Sequence, residues 1–372
     1  MNLKKVSIIG GGLSGLITSL QLVRAGISVE VFEKKSYPFH RVCGEYISLE
    51  TIPFLKSLSI YPDKFNPPLI KRLQLTSVNG KSVTLPLDLG GFGISRYNFD
   101  HFIFERAKSE GVVFHENTEV EHVNFNDNHF KLQANGNSFK SDLVIGAFGK
   151  RSKLDVYLNR SFIKKRSPYL GVKYHIRTEH PIDLIALHNF YGGYCGISNV
   201  EEGITNLCYL SHNQNLKKHQ SIKEMEEKVL FRNPFIKSIF SNSTFLFEKP
   251  ETINEISFET KKSVVDHLLM AGDAAGMITP LCGNGMAIAI HASKILSELV
   301  IKFCVNEKYQ RNQLEDDYTN AWTKQFATRL WTGRQIQRLF GSEWTSNLAV
   351  NLATHIKPVA DFLIRKTHGE EF

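Results

Sequence analysis

Apolar positions change period twice within the first thirty-four residues. Residues 4–10, KKVSIIG, end in contiguous β-branched residues, as expected of a short strand buried on both faces. Residues 14–26, SGLITSLQLVRAG, place apolar side chains at helical spacing and stop at Gly26, a residue suited to the left-handed backbone just past a helix. Residues 27–34, ISVEVFEK, read as a second strand, which completes a βαβ unit.

Further along, LIKRLQLTSVNGKSVTLPL (69–87) predicts a hairpin turning on Asn79-Gly80. SRYNFDHFIFERAKSEG (95–111) predicts a helix with Phe99, Phe102, Ile103 and Ala107 on one face. VVFHENTEVEHVNFN (112–126) and HFKLQANGNSFKSDLVIGAFG (129–149) read as strands, with a second Asn-Gly turn at 135–136. Residues 169–259 are mostly strand-like, interrupted by one helical insert near SIKEMEEKVLF (221–231). VVDHLLMA (264–271) reads as one strand, and the chain beyond it as helix nearly to the end.

Composition narrows the classes. At 372 residues the chain is too long for one ordinary core, so two or three packed domains are expected. The basic start and apolar run of MNLKKVSIIGGGLSGLITSL resemble a signal peptide but lack a small-residue cleavage site. No apolar stretch reaches the roughly 18 residues of a membrane span. The formal net charge is +8, yet the densest basic cluster is IKKRS at 163–167, which disfavours nucleic acid as a partner. The five cysteines (43, 195, 208, 282, 304) form no C-x-x-C pair and fit a reducing cytoplasm. His267 and the other histidines show no metal-ligand spacing, so no metal is expected.

The chemistry lies in the glycines. GGGLSG contains Gly10, Gly12 and Gly15, with Leu13 and Ser14 between them, after a strand and at the start of a helix. Such glycines permit a tight turn, approach of a pyrophosphate and close helix–strand packing, and the helix start offers N–H groups to the phosphates. Glu33, beside Lys34 at the end of the second strand, is placed to accept hydrogen bonds from ribose hydroxyls. A second small-residue cluster, GDAAGMITPLCGNG (272–285), surrounds one carboxylate, Asp273. Small residues there let something lie against the backbone.

That second cluster resembles the second flavin motif of FAD-dependent oxidoreductases. The match is specifically to the para-hydroxybenzoate hydroxylase-like superfamily, which holds class A flavin monooxygenases and geranylgeranyl reductase-like enzymes. It spans roughly residues 1–300 in motif order. The resemblance implies FAD as cofactor, with Gly272, Asp273, Pro280, Gly283, Asn284 and Gly285 along the ribityl chain and ring. It also implies that Arg41 and Cys43 in RVCGE lie near flavin and substrate, that Arg96 in SRYNFDHFIFERA contacts FAD and that the strand backbone at Val120 in TEVEHV meets the adenine. Two departures stand out. In DLVIGAFGKRSKLD, Phe148 replaces the motif's aspartate and Asp155 its terminal arginine. This implies weak direct use of NADPH or NADH, and a reductase or other electron-donor protein as the alternative source. The W-x-W-x-I-P run of flavin halogenases is absent.

The expected architecture is therefore α/β: a Rossmann-like FAD-binding domain (1–68, 96–165, 262–303) interrupted by a hairpin (69–95) and a β-rich substrate domain (166–261), with C-terminal helices (304–372). Phe190, Tyr191, Tyr194 and Ile197 are expected to line an apolar pocket, with Cys43 and Tyr194 as catalytic candidates. The expected activity is hydroxylation of a hydrophobic, including aromatic, small molecule. C=C reduction of a lipid or polyprenyl substrate is the alternative, and an electron carrier without turnover the third reading. Leu348, Leu352, Ile356, Val359 and Leu363, beside Lys357, Arg365 and Lys366, form a stripe suited to peripheral membrane contact by a cytoplasmic protein.

Overall fold

A computed structural model describes residues 4–165, 167–254, 256–277, 279, 284–337, 341–355 and 371–372. Its first sheet has six strands, in the order Val264–Val265, Leu268–Met270, Leu143–Gly146, Lys5–Ile9, Ser28–Phe32 and Val113–His115. Four of its five pairings are parallel, with Val6 opposite both Leu143 and Val29. Val6, Ile8, Val29, Val31 and Val144 are fully or almost fully buried, which is why these strands read as continuous apolar runs. The helix Leu13–Arg24 packs against the helices Arg96–Ser109 and Gly285–Val305, burying Leu16, Ile17 and Leu20. The sequence therefore returns to this sheet from three distant segments.

The second sheet has nine strands and draws on residues 46–48, 69–93, 169–212 and 244–254. Period-two patterning gives it two different faces. One face, with Val172, Tyr174, Ile176, Leu207 and Tyr209, packs under the helical segment 213–241 through Met225, Leu230 and Ile236. The other faces the first sheet's domain. A third, three-stranded sheet covers 120–141.

Several boundaries differ from the sequence reading. VVDHLLMA is two strands, not one. Asp266 and His267 adopt φ values of 46° and 65°, so the chain turns on them and Val264 pairs antiparallel with Leu269. The segment 112–126 breaks at Asn117, also left-handed (φ 51°), into Val113–His115 and Val120–Asn126. The single helical insert is three helices, because Ser221 and Asn233 each start a new one; the Asn233 side chain accepts from Phe235 N–H and Pro234 fills the first position. Among the described residues the C-terminal region is helical as expected, at Gly285–Val305, Arg311–Gln337 and Glu343–His355; Ile356, Lys357, Val359, Leu363, Arg365 and Lys366 of the tail stripe lie outside the described residues. No described helix is long and apolar enough to cross a membrane.

Candidate active site

The first glycine turn is shaped by its own backbone. Gly10 has φ 103°, and a Cβ there would sit 2.4 Å from the Ala147 carbonyl oxygen. At Gly15 a Cβ would meet the Gly10 carbonyl oxygen at 2.1 Å, so this glycine closes the helix against the turn. Gly12 differs: a Cβ would find only Arg96 Nη2 at 3.8 Å and Arg41 Cζ at 4.0 Å. Gly12 thus has no steric clash to avoid, and what lies over it is two guanidiniums. The helix Leu13–Arg24 begins there with no side-chain cap and no acidic residue in its first turn. Its leading N–H groups and dipole are left to an anion in the cavity.

Glu33 is buried at the end of the second strand. One carboxylate oxygen accepts from Gly11 N–H (2.9 Å) and Arg41 Nη2 (3.2 Å), the other from Lys35 N–H (3.1 Å). Arg41 also reaches Asp100 at 3.3 Å, while Arg96 forms a bidentate pair with Asp100 at 2.6 and 2.6 Å. Burial pulls the Arg96 pKa down, but Asp100 and then Cys43 outweigh it and leave it raised. Lys34 and Val120 line the same cavity.

The second cluster closes onto the first. Gly272 has φ 58°, and a Cβ there would lie 3.2 Å from Ser14 Cβ. Ser14 Oγ lies 3.0 Å from Ser293 Oγ, which ties the helices Leu13–Arg24 and Gly285–Val305 together. Asp273 sits half-buried in a short turn, its carbonyl accepting from Lys261 Nζ at 2.8 Å. Asn284 is the buried residue ahead of the helix that starts at Gly285, and Gly285 faces the cavity. Pro280, Cys282 and Gly283 lie outside the described residues.

These elements enclose one continuous cavity of about 660 Å³. From the cradle it passes Cys43 and opens into an arm under the nine-stranded sheet. Alternate residues of three strands, including Leu73, Leu75, Leu85, Ile185 and Leu187, make that arm aliphatic. Tyr194, Ile256 and Met277 close one side.

The sequence profile described as "FAD binding domain" matches residues 4–320. The chain belongs to this FAD-binding family. Among its curated relatives, "Conditioned medium factor receptor 1" of Dictyostelium discoideum is 25% identical over 370 residues, covering 86% of this chain and 68% of that protein. The digeranylgeranylglycerophospholipid reductase of Methanococcus vannielii is 23% identical over 327 residues (85% and 81%), and kynurenine 3-monooxygenase of Legionella pneumophila 24% over 359 (87% and 74%). The flavin-dependent halogenase CmlS shares the fold, with a TM-score of 0.80 over 99% of this chain and 72% of that one at 19% identity. The protein is an FAD-dependent oxidoreductase of the monooxygenase/reductase superfamily.

The cradle suits FAD on its own geometry. There is clash-free backbone at Gly12, an uncapped helix start beneath it, and a buried carboxylate one strand away for the ribose. Phe148 lines the cavity, and its ring would lie 2.7 Å from a Cβ at Gly146, so it occupies space that only a glycine leaves. Asp155 has a definite role. It completes a capping box with Ser152 and pairs with buried Arg160 at 2.7 Å. Arg160 in turn donates to the Ala274 carbonyl at 2.8 Å, inside the second flavin motif. A guanidinium thus reaches the flavin region from position 160 instead of 155.

The aromatic pocket is corrected. Tyr194 lines the cavity, but Phe190 is buried on the opposite sheet face against Tyr209, and Tyr191 is 58% exposed. Cys195, next to Tyr194, also points into the far core, where burial pushes its thiol pKa well up. Ile197 contributes to both the cavity wall and that core. Cys43 stands on the cavity wall where the cradle meets the arm.

Sequence reasoning missed a buried ionic group behind Cys43. Glu45, fully buried, accepts from Lys173 Nζ, from His175 Nε2 at 2.7 Å and from Arg96 N–H at 2.7 Å. Burial alone would raise the Glu45 pKa, but Lys173 and the His175 hydrogen bond hold it down at about 2. The signal was present in YLGVKYHIR. Lys173 and His175 occupy alternate positions of an otherwise apolar strand, which requires a partner on that face. Lys261 was also missed. Burial, opposed by Asp273 and Asp155, lowers its pKa to about 8, and it bridges the carbonyls of Lys150 and Asp273 at 2.8 Å each.

Proposed function

We propose that this FAD-dependent oxidoreductase reduces carbon–carbon double bonds in a long aliphatic substrate of isoprenoid type. The observation that carries the reading is the arm itself: five leucine and isoleucine side chains from alternate strand positions lead to the Cys43 edge of the cradle. Such walls suit a flexible aliphatic chain, which gains chiefly from apolar burial. The aromatic run that favoured an aromatic substrate stands outside the cavity at Phe190 and Tyr191.

Bound FAD would supply the hydride for such a reduction. The chain's own residues bind, orient and exclude water. Arg41 and Arg96 sit over the phosphate turn, Glu33 meets the ribose, Asp273 the ribityl chain, and the arm holds the substrate against Cys43 and Gly285. Tyr194 forms the side wall. Electrons come from NADPH, NADH or an electron-donor protein, and Phe148 supports the last. On the helix Glu343–His355, Trp344, Leu348 and Leu352 face solvent while Ser346 and Val350 are buried, and Leu352 also touches the cavity. This outward apolar stripe supports delivery of the substrate from a lipid surface.

The test is anaerobic. Dithionite-reduced holoenzyme is mixed with geranylgeranyl lipids, and the products are weighed by mass spectrometry. Gain of two hydrogens per double bond supports the reading. Products that form only with O₂ and carry one added oxygen would establish hydroxylation instead.

A further inference from the structure

The segment 42–45 is held in an unusual way. Each of its four residues accepts a hydrogen bond from a side chain elsewhere in the molecule. Lys150 Nζ donates to the Val42 carbonyl at 3.3 Å, Asn206 Nδ2 to the Cys43 carbonyl at 3.2 Å and Ser198 Oγ to the Gly44 carbonyl at 3.5 Å. Lys173 and His175 donate to the Glu45 carboxylate. Four of these five donors lie on one face of the nine-stranded sheet. His175, Asn206 and Ser198 form one cross-strand row, and Lys173 heads the next, with Cys208 and Gly196.

Glu45 adds a link to the flavin side. Its carboxylate accepts from Arg96 N–H at the start of the helix Arg96–Ser109, and its carbonyl accepts from Ile94 N–H at 3.1 Å. The Arg96 guanidinium lies over Gly12. Glu45 also has φ 54°, a conformation a non-glycine residue keeps only where its surroundings over-determine it.

We propose that Glu45 is a positioning residue: through Lys173 and His175 the substrate domain fixes the 42–45 segment, and so sets where Cys43 and Arg96 stand against the flavin. The proposal rests on FAD binding and not on the reaction the flavin performs, so the reduction assay can fail without touching it. It also separates two roles that a buried ion pair can have. As a purely structural pair, Glu45 and Lys173 would be replaceable together by neutral side chains of similar size, and only the loss of one partner would matter. As a positioning device, the negative charge shared among Lys173, His175 and the Arg96 N–H is itself needed.

The experiment uses holoenzyme with FAD. Glu45→Gln, Lys173→Met and the double variant are compared for thermal stability, FAD affinity, visible circular dichroism of the flavin and the rate of Cys43 alkylation by iodoacetamide, read by peptide mass spectrometry. Glu45→Gln is expected to keep FAD affinity within about threefold while changing the Cys43 alkylation rate about tenfold and altering the flavin dichroism. The double variant is expected to regain stability but not those two local readouts. Asn206→Ala, which leaves the ionic group intact, is expected to shift Cys43 alkylation in the same direction and keeps the test open should Glu45→Gln not fold. Wild-type alkylation and dichroism in Glu45→Gln, or their full recovery in the double variant, would overturn the proposal. With Glu45→Gln unfolded, unchanged alkylation in Asn206→Ala would do the same.

Discussion

Glu226 is a carboxylic acid beneath the far face of the nine-stranded sheet, and its chemistry predicts how stability responds to pH. It lies on the helix Ile222–Lys228 with one oxygen accepting from Tyr174 Oη at 3.0 Å and Tyr209 Oη at 2.8 Å. The residue is 5% exposed. Burial raises its pKa strongly; the two phenol hydrogen bonds oppose that, and neighbouring Glu227 adds to it, for a value of about 7 against an ordinary 4.5. A raised carboxyl pKa means that the fold prefers the protonated form. Stability from this preference is fully present below about pH 4.5 and is lost as pH rises through 7. Above that, holding the ionised group costs about 3 kcal/mol relative to the unfolded chain.

Glu226→Gln tests this directly. The amide keeps a carbonyl oxygen that can accept both phenols, and it has no charge to desolvate. Urea denaturation of the holoenzyme should find variant and wild type alike at pH 4, with the variant more stable by up to about 3 kcal/mol at pH 8.5. Tyr209 also touches the cavity, so any alkaline loss of substrate binding should be relieved in the same variant. A stability difference independent of pH, or a variant less stable at pH 8.5, would show that the carboxylate is ionised and well solvated in the fold, and the reasoning would fail.

Four further outcomes are expected. Asp273→Ala should weaken FAD binding by about 1.5–3 kcal/mol, roughly 10- to 150-fold, through lost hydrogen bonds to the ribityl chain, as read by flavin fluorescence titration. Gly12→Ala should fold, since its φ is −82° and the nearest atom is 3.8 Å from the new Cβ, yet bind FAD poorly; Gly10→Ala, with φ 103° and a 2.4 Å clash, should be unstable even without cofactor, as thermal melting would show. With Phe148 in the motif's aspartate position, stopped-flow reduction by free NADPH should be slow and should not saturate at low NADPH. Trp344, 75% exposed, should anchor the outward stripe, so Trp344→Asp should lower co-sedimentation with anionic vesicles while leaving FAD bound.

The backbone shape of the glycine turns was legible because its signals are local. Gly10, Gly12 and Gly15 act through backbone geometry within six residues, and Glu33 ends a strand whose apolar pattern announces it. The same holds for Gly272 and Asp273 at the end of Leu268–Met270. The substrate half depends on which face each strand residue takes. Phe190 and Tyr194 are separated by a turn at 191–192, and Cys195 follows Tyr194 on the opposite face, so a cluster in sequence became two different environments, Phe190 and Cys195 in the far core and Tyr194 on the cavity wall. The Glu45 group was harder still. Its partners stand 128 and 130 residues away, and only the strand register brings them under the loop.

That register also says something about the substrate. Along the cavity face of the nine-stranded sheet, His175, Asn206 and Ser198 make a polar row, Lys173, Cys208 and Gly196 the next, and Gly171, Leu210 and Tyr194 the row beyond. The polar row is consumed by the 42–45 segment, so it is not free to greet a polar substrate. Beyond that row the sheet presents to the cavity the small Gly196, Cys208, Tyr194 and the aliphatic side chains of neighbouring strands, with Leu187 opposite Gly196 and Leu75 opposite Leu187. A Cβ at Gly196 would already meet Leu187 and the Cys208 carbonyl oxygen at 3.6 Å, ordinary van der Waals contact, so a larger side chain there would have to extend into the cavity. The same sheet therefore uses Lys173, His175, Ser198 and Asn206 to fix the 42–45 loop and leaves its aliphatic side chains and Tyr194 to the cavity wall. This division is why a bulky side chain at Gly196 should block substrate while sparing FAD, whereas a change at Lys173 should do the reverse of sparing the loop.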